Sequence, residues 1–149
     1  MNKFFLGGTC ANTTWRDKLI SLAKYTDFNY FNPVVKDWTP ECQKIEEDEK
    51  NNKCNIHLYT ITPEMEGVYS IAEIVNSTWQ AQLYGTNTDM TLMLVMGNEN
   101  DFGKKMWKSL MATIRLCENI APGKFIGSSV LSPEGIKDLL VAEDLIRPI

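Results

Sequence analysis

Thr91-Leu92-Met93-Leu94-Val95-Met96 is a run with one polar member. A strand that buries one face alternates apolar and polar residues. A run that is apolar at nearly every position needs cover on both faces, which is the condition at the centre of a parallel sheet flanked by helices.

The chain on either side supplies those helices. Upstream, Ser70 opens an amphipathic window through Ile71, Ile74, Val75 and Trp79. Before it, Ile56 to Ile61 is a β-rich run, apart from His57, closed by Pro63. Downstream, Lys105 to Asn119 has helical spacing and is followed by Pro122-Gly123. Phe125-Ile126 reads as a last strand, and Ser132-Pro133-Glu134 opens a final helix through Leu139 and Leu140. Towards the N-terminus, Lys3 to Leu6 is a strand ending in Gly7-Gly8, and Thr14 caps a helix bearing Trp15, Leu19, Ile20 and Leu22. Phe28 to Phe31 is a short aromatic strand stopped by Asn32-Pro33. Thr39-Pro40 starts an acidic helix with Pro at its first position, ending near Asn51-Asn52. The pattern is a βα unit repeated about five times, which predicts an α/β sandwich of three layers with a roughly five-stranded parallel sheet. With no repeat or linker, residues 1–149 are expected to form one domain.

Composition narrows the partners. The 149 residues are 44% hydrophobic and 23% charged, with a net charge of −4. That acidic balance argues against a nucleic-acid polymer as partner, because neutralising phosphates needs clustered Lys and Arg. It leaves nucleosides and nucleotides open. The run Phe4 to Gly8 is too short for a signal-peptide core, and no window approaches a membrane span, so a cytoplasmic protein without membrane contact is expected. None of Cys10, Cys42, Cys54 and Cys117 forms a C-x-x-C pair, and His57 is the only histidine. No metal site is expected, and the thiols are expected to be free and buried.

In an open parallel sheet, ligands bind outside the carboxyl ends of the strands. Three loops follow. The first contains Gly7, Gly8, Thr9, Asn12, Trp15 and Arg16. Its glycines permit close approach of the backbone, and Thr9 and Asn12 offer hydrogen bonds. Trp15 and Arg16 read either as a stacking platform and an anion clamp, or as a core-edge Trp and a surface Arg. The second loop offers Asp37 and Trp38, a carboxylate and an aromatic face, which suits a nucleobase. The third runs Glu64-Met65-Glu66-Gly67-Val68-Tyr69-Ser70-Ile71-Ala72-Glu73. Glu73, expected in the first turn of the helix, can attack an anomeric carbon. Equally, Ser70-Ile71-Ala72-Glu73 fits a capping box, in which Glu73 has no chemistry. His57 reads as a partnered or edge residue of a strand. The acidic stretch Glu46 to Glu49 reads as a solvated face, with room for one member to turn toward the pocket.

Five blocks occur in order: Phe5-Leu6-Gly7-Gly8-Thr9-Cys10, Thr14-Trp15-Arg16-Asp17, Tyr30-Phe31-Asn32-Pro33-Val34-Val35, Trp38-Thr39-Pro40-Glu41-Cys42 and Tyr69-Ser70-Ile71-Ala72-Glu73. Together with Ile61-Thr62-Pro63-Glu64-Met65, they resemble the nucleoside 2-deoxyribosyltransferase-like proteins over roughly residues 4 to 79. The resemblance implies a flavodoxin-like fold and cleavage of a nucleoside or nucleoside monophosphate N-glycosidic bond, by transfer or hydrolysis. It places the nucleophile on Glu73 and sugar and base contacts on Gly7 to Arg16, with base recognition near Asp37 and Trp38. Met65, Gly67 and Tyr69 fall on the third-loop wall. The family's aspartate six residues before the nucleophile is Gly67 here, which leaves the proton-transfer role among Glu66, Glu64 and Asp37. Relatives often have Cys-Asp where this chain has Cys54-Asn55. In the studied transferases a neighbouring subunit completes the site, so a homo-oligomer is implied. The alternative is a non-catalytic protein that holds a nucleotide or an ADP-ribose-type ligand. No cofactor is expected, because the first loop lacks the Thr/Ser- and Gly-rich cradle of a flavin mononucleotide.

Overall fold

The structure, a computed structural model, describes residues 1–10 and 13–149. The strands are β1 (Phe4–Gly8), β2 (Tyr30–Phe31), β3 (Ile56–Ile61), β4 (Met90–Met96) and β5 (Phe125–Val130). The helices are α1 (Trp15–Leu22), α2 (Pro40–Asp48), α3 (Tyr69–Gln82), α4 (Glu99–Phe102), α5 (Lys104–Ile120) and α6 (Pro133–Ala142). The strands form one parallel sheet in the order β2-β1-β3-β4-β5. That order is flavodoxin-like.

Side chains alternate between the two faces of each strand, and the core divides accordingly. Phe4, Leu6, Leu58, Leu92 and Leu94 pack against Trp15 and Leu19 of α1 and Ile136 and Leu140 of α6. Phe5, Tyr59, Ile61, Met93 and Val95 pack against Ile74 of α3 and Leu110 and Ile114 of α5. The central strand read from Thr91 to Met96 is thus covered on both sides. Truncating Leu58 or Leu92 to Ala costs about 2–5 kcal/mol at such sites.

Several boundaries differ from the sequence reading. β2 is only Tyr30–Phe31, although the Phe4 amide still donates to the Asn29 carbonyl at 2.9 Å. β5 continues through Gly127-Ser128-Ser129, whose weak strand propensity hides it from pattern reading. The short α4 is held by a capping box between Asn98 and Asp101. The acidic helix ends close to Asn51-Asn52 as expected, but α-helical geometry stops at Asp48 and the last turn, Glu49–Lys53, is π-helical. Cys54 and Cys117 are buried free thiols as expected, but Cys10 is exposed and Cys42 is half-buried. Among the described residues, no helix is long and apolar enough to cross a membrane.

Candidate active site

The chain leaves β1 for β2 on one side of it, and later returns as β3 on the other. A crevice opens where such connections diverge, at the carboxyl ends of β1 and β3. The glycines at the end of β1 first serve the sheet. A Cβ on Gly7 would lie 2.5 Å from the Tyr59 ring. Gly8 has φ +107°, and a Cβ there would collide with the Thr60 carbonyl. Thr9 continues the seam: its amide donates to the Thr60 carbonyl at 3.0 Å, and its hydroxyl accepts from the Thr62 amide at 3.0 Å.

Arg16 braces this loop from below. Its Nε donates to the Leu6 carbonyl at 2.8 Å, one terminal nitrogen to the Thr9 carbonyl at 2.8 Å and the other to the Gly8 carbonyl at 3.2 Å. Burial shifts its pKa downward, opposed by the neighbouring Cys10. The planar fork is committed to the backbone, so Arg16 shapes the cleft rather than offering it an open anion clamp. Trp15 is likewise a correction to the stacking platform. It is 1% exposed, its Nε1 donates to the Thr9 carbonyl at 3.2 Å, and Arg16 lies over its ring. The apolar ring was claimed by the core under the loop.

Above the loop lies a cleft of about 250 Å³, walled by Gly7, Gly8, Val34, Trp38, Glu46 and Glu73. Trp38 is 60% exposed at its rim, an aromatic face with no competing partner in the core. A second recess of about 300 Å³ adjoins it through Gly8 and Cys10 and is lined by Met65, Glu66, Gly67 and Tyr69. Asp37 is exposed and lines neither. Glu64 lines a separate recess beside Trp15. Asn12 lies outside the described residues.

Glu73 is not a helix cap. The N-cap of α3 is Val68 with no side-chain bond, so Glu73 sits in the second turn rather than the first. Its Oε2 accepts from Lys50 Nζ at 2.8 Å, and both side chains are nearly buried. The capping reading failed because the helix begins one residue earlier than Ser70 and a cation from the π-helical turn takes the carboxylate.

Sequence reasoning left two groups of the site unassigned, Glu46 on the cleft wall and Lys50 paired with Glu73. The signal for Glu46 was present in the acidic run of α2, where one member turns inward while Glu47 and Asp48 stay exposed. Burial raises the Glu46 pKa above the usual carboxylate range, and the nearby Glu73 charge raises it further. Two carboxyl groups thus share one cleft, one paired with a cation and one pushed toward its neutral form. Among the described residues no cluster of His, Cys, Asp or Glu is arranged to hold a metal ion.

Residues 2–77 match the family model described as nucleoside 2-deoxyribosyltransferase like. The chain belongs to that family. The matched segment runs from β1 into α3 and so contains the cleft walls, including Glu46 and Glu73, together with Lys50, the ion-pair partner of Glu73. For a nucleoside 2-deoxyribosyltransferase-like protein, a role in glycosyl transfer in the general sense follows. No curated protein and no solved structure matches the chain.

Proposed function

We propose that the chain cleaves the N-glycosidic bond of a 2′-deoxynucleoside through a glycosyl-enzyme intermediate. The observation that carries this is the pair of unlike carboxyl groups facing one cleft, Glu73 held by Lys50 and Glu46 raised by burial. Environments that push two carboxyl groups apart assign an attacking base form and a proton-bearing form.

In the first step Glu73 attacks the anomeric carbon as the bond to the base nitrogen breaks. The bonding pair leaves with the base, and the Glu46 carboxyl gives it a proton. The product is a 2-deoxyribosyl ester on Glu73. In the second step a new base, or water, attacks that carbon, the ester bond breaks and Glu46 takes up the proton. Trp38 stacks on the base at the rim, and Tyr69, Met65 and Glu66 wall the adjoining recess toward the sugar. Thr9 and Arg16 hold the loop that both spaces share.

The test is incubation of the protein with the four common 2′-deoxynucleosides, with and without a second free base, and chromatography of the products. Base release or exchange that disappears in Glu73→Gln, with a 2-deoxyribosyl adduct on the Glu73 peptide by mass spectrometry, is the expected result. Tight binding in calorimetry without release would replace this reading with that of a nucleotide-holding protein. Release that survives in Glu73→Gln would remove the nucleophile.

A further inference from the structure

Behind the Lys50–Glu73 pair lies a buried polar chain that the proposed reaction does not use. His57 Nε2 is 2.7 Å from the Lys50 carbonyl, and His57 Nδ1 is 2.8 Å from Ser77 Oγ. The Tyr59 hydroxyl is 2.6 Å from the same Ser77 oxygen. A carbonyl only accepts, so Nε2 carries the imidazole proton and donates it to Lys50. Burial holds His57 neutral, its pKa lowered to about 4, so Nδ1 must accept. Among the described residues the only proton available to it is that of Ser77, whose oxygen in turn accepts from Tyr59. The bonds therefore run one way, from Tyr59 to Ser77 to His57 to the Lys50 carbonyl.

Two members of this chain, Ser77 and Lys50, tie it to the same ion pair. Ser77 lies one turn beyond Glu73 on the same face of α3. Lys50 presents its carbonyl to His57 and its Nζ to Glu73, with the Nζ also 5.3 Å from the centre of the Phe5 ring. The helix bearing Glu73 and the π-helical turn bearing Lys50 are thus pinned to each other twice. Fully satisfied networks of this kind specify one arrangement of the groups they join.

We propose that Lys50 is a positioning residue for the Glu73 carboxylate, set in place through its carbonyl by the chain Tyr59–Ser77–His57. The proposal rests on Glu73 being the attacking group. A carboxylate displaced from its line of attack loses rate rather than substrate affinity, and a misplacement near 1 Å is worth about 10²-fold.

The experiment compares Lys50→Met, His57→Asn, His57→Gln and the double variant Lys50→Met/His57→Asn, with Glu73→Gln as reference. The readout is base release from 2′-deoxyadenosine, alongside thermal melting. A Gln amide stands where Nε2 does and still donates to the Lys50 carbonyl, whereas an Asn amide reaches only toward Ser77. Lys50→Met should lower kcat roughly 10²-fold with KM within about twofold. His57→Asn should lower kcat about tenfold, His57→Gln should restore it, and the double variant should fall no further than Lys50→Met alone. Wild-type kcat in Lys50→Met overturns the proposal. So does equal loss in His57→Asn and His57→Gln, or additive loss in the double variant. If His57→Asn does not fold, the Lys50→Met arm decides alone. Glu73→Gln separates the two readings: if it stays active the nucleophile is wrong, and if it is dead while Lys50→Met is unimpaired only the positioning role falls.

Discussion

Lys50 Nζ stands 2.8 Å from Glu73 Oε2, across 23 positions of sequence. The contact joins the π-helical turn that closes α2 to the second turn of α3, beside the Phe5–His57 pair of the β1–β3 seam. Such a turn widens the helix by one residue and is commonly kept where function needs it. Here it delivers a cation to a carboxylate that would otherwise face Glu46 alone. It also separates the two carboxyl groups chemically, since among the described residues Glu46 has no ion-pair partner.

That separation predicts a pH profile. Glu46 works in its protonated form, so activity falls as pH rises through its pKa, which burial and the Glu73 charge hold above the ordinary carboxylate value of 4.5. The expected kcat/KM profile has a descending limb at higher pH than a free glutamate would give. Glu46→Gln should remove that limb and lower kcat by about 10²–10⁴-fold. A nucleoside with a leaving group that needs no protonation should escape most of the loss. An unchanged limb in the variant would assign the acid elsewhere, with Glu66 the next carboxyl to replace.

The cleft discriminates by charge. Its described walls carry Glu46 and Glu73, the adjoining recess adds Glu66, and the one cation among them, Arg16, is bound to three carbonyls. A 5′-phosphate would meet carboxylates with no free donor fork. The 2′-deoxynucleoside should therefore outperform its own 5′-monophosphate in kcat/KM by at least about tenfold at low ionic strength. Added salt should narrow the gap. A preference for the monophosphate in a competition assay would refute this.

His57 links stability to pH. Its pKa falls from 6.5 to about 4 on folding, chiefly because burial disfavours the charged form. Between those values the unfolded chain binds a proton that the folded chain does not, so stability is complete above about pH 6.5 and is lost as pH falls toward about 4. The full span corresponds to about 3 kcal/mol. Urea unfolding at pH 7 and pH 4.5 measures it. His57→Gln, which cannot titrate, should lose markedly less stability over the same interval.

The fold was legible because its strongest signals are local. An apolar run as short as Leu92 to Val95, closed by Gly97, suits a strand covered on both faces better than a helix, and Pro40 and Pro133 mark helix starts by what proline lacks. The site was legible only where a residue type has few uses at its position. Gly8 announces a backbone that no side chain tolerates, and Glu73 stands in a recognisable block. Trp15 and Arg16 could not be resolved the same way. Both have a core use and a ligand use, and only the path of the β1 loop decides between them. Glu46 and Lys50 were hidden for a related reason. They lie on an acidic, lysine-containing helix that looks solvated throughout, and their direction depends on a π-helical turn that leaves no pattern in the sequence.

Arg16 offers the sharpest test of that division between shaping a site and acting in it. Three donors of one rigid fork hold three carbonyls of Leu6, Gly8 and Thr9. Lysine brings a single ammonium group and cannot reach three acceptors in fixed geometry, so Arg16→Lys should behave as a loss and not as a conservative change. Bonds from a charged donor contribute about 1.5–3 kcal/mol each, and water recovers part of that when the loop opens. Both Arg16→Lys and Arg16→Met should therefore destabilise the protein by at least about 2 kcal/mol in urea unfolding. They should also raise KM, because the loop between the two halves of the cleft loses its shape. If Arg16 instead clamps a substrate anion, the penalty would fall on monophosphates alone, and stability would stay at the wild-type value.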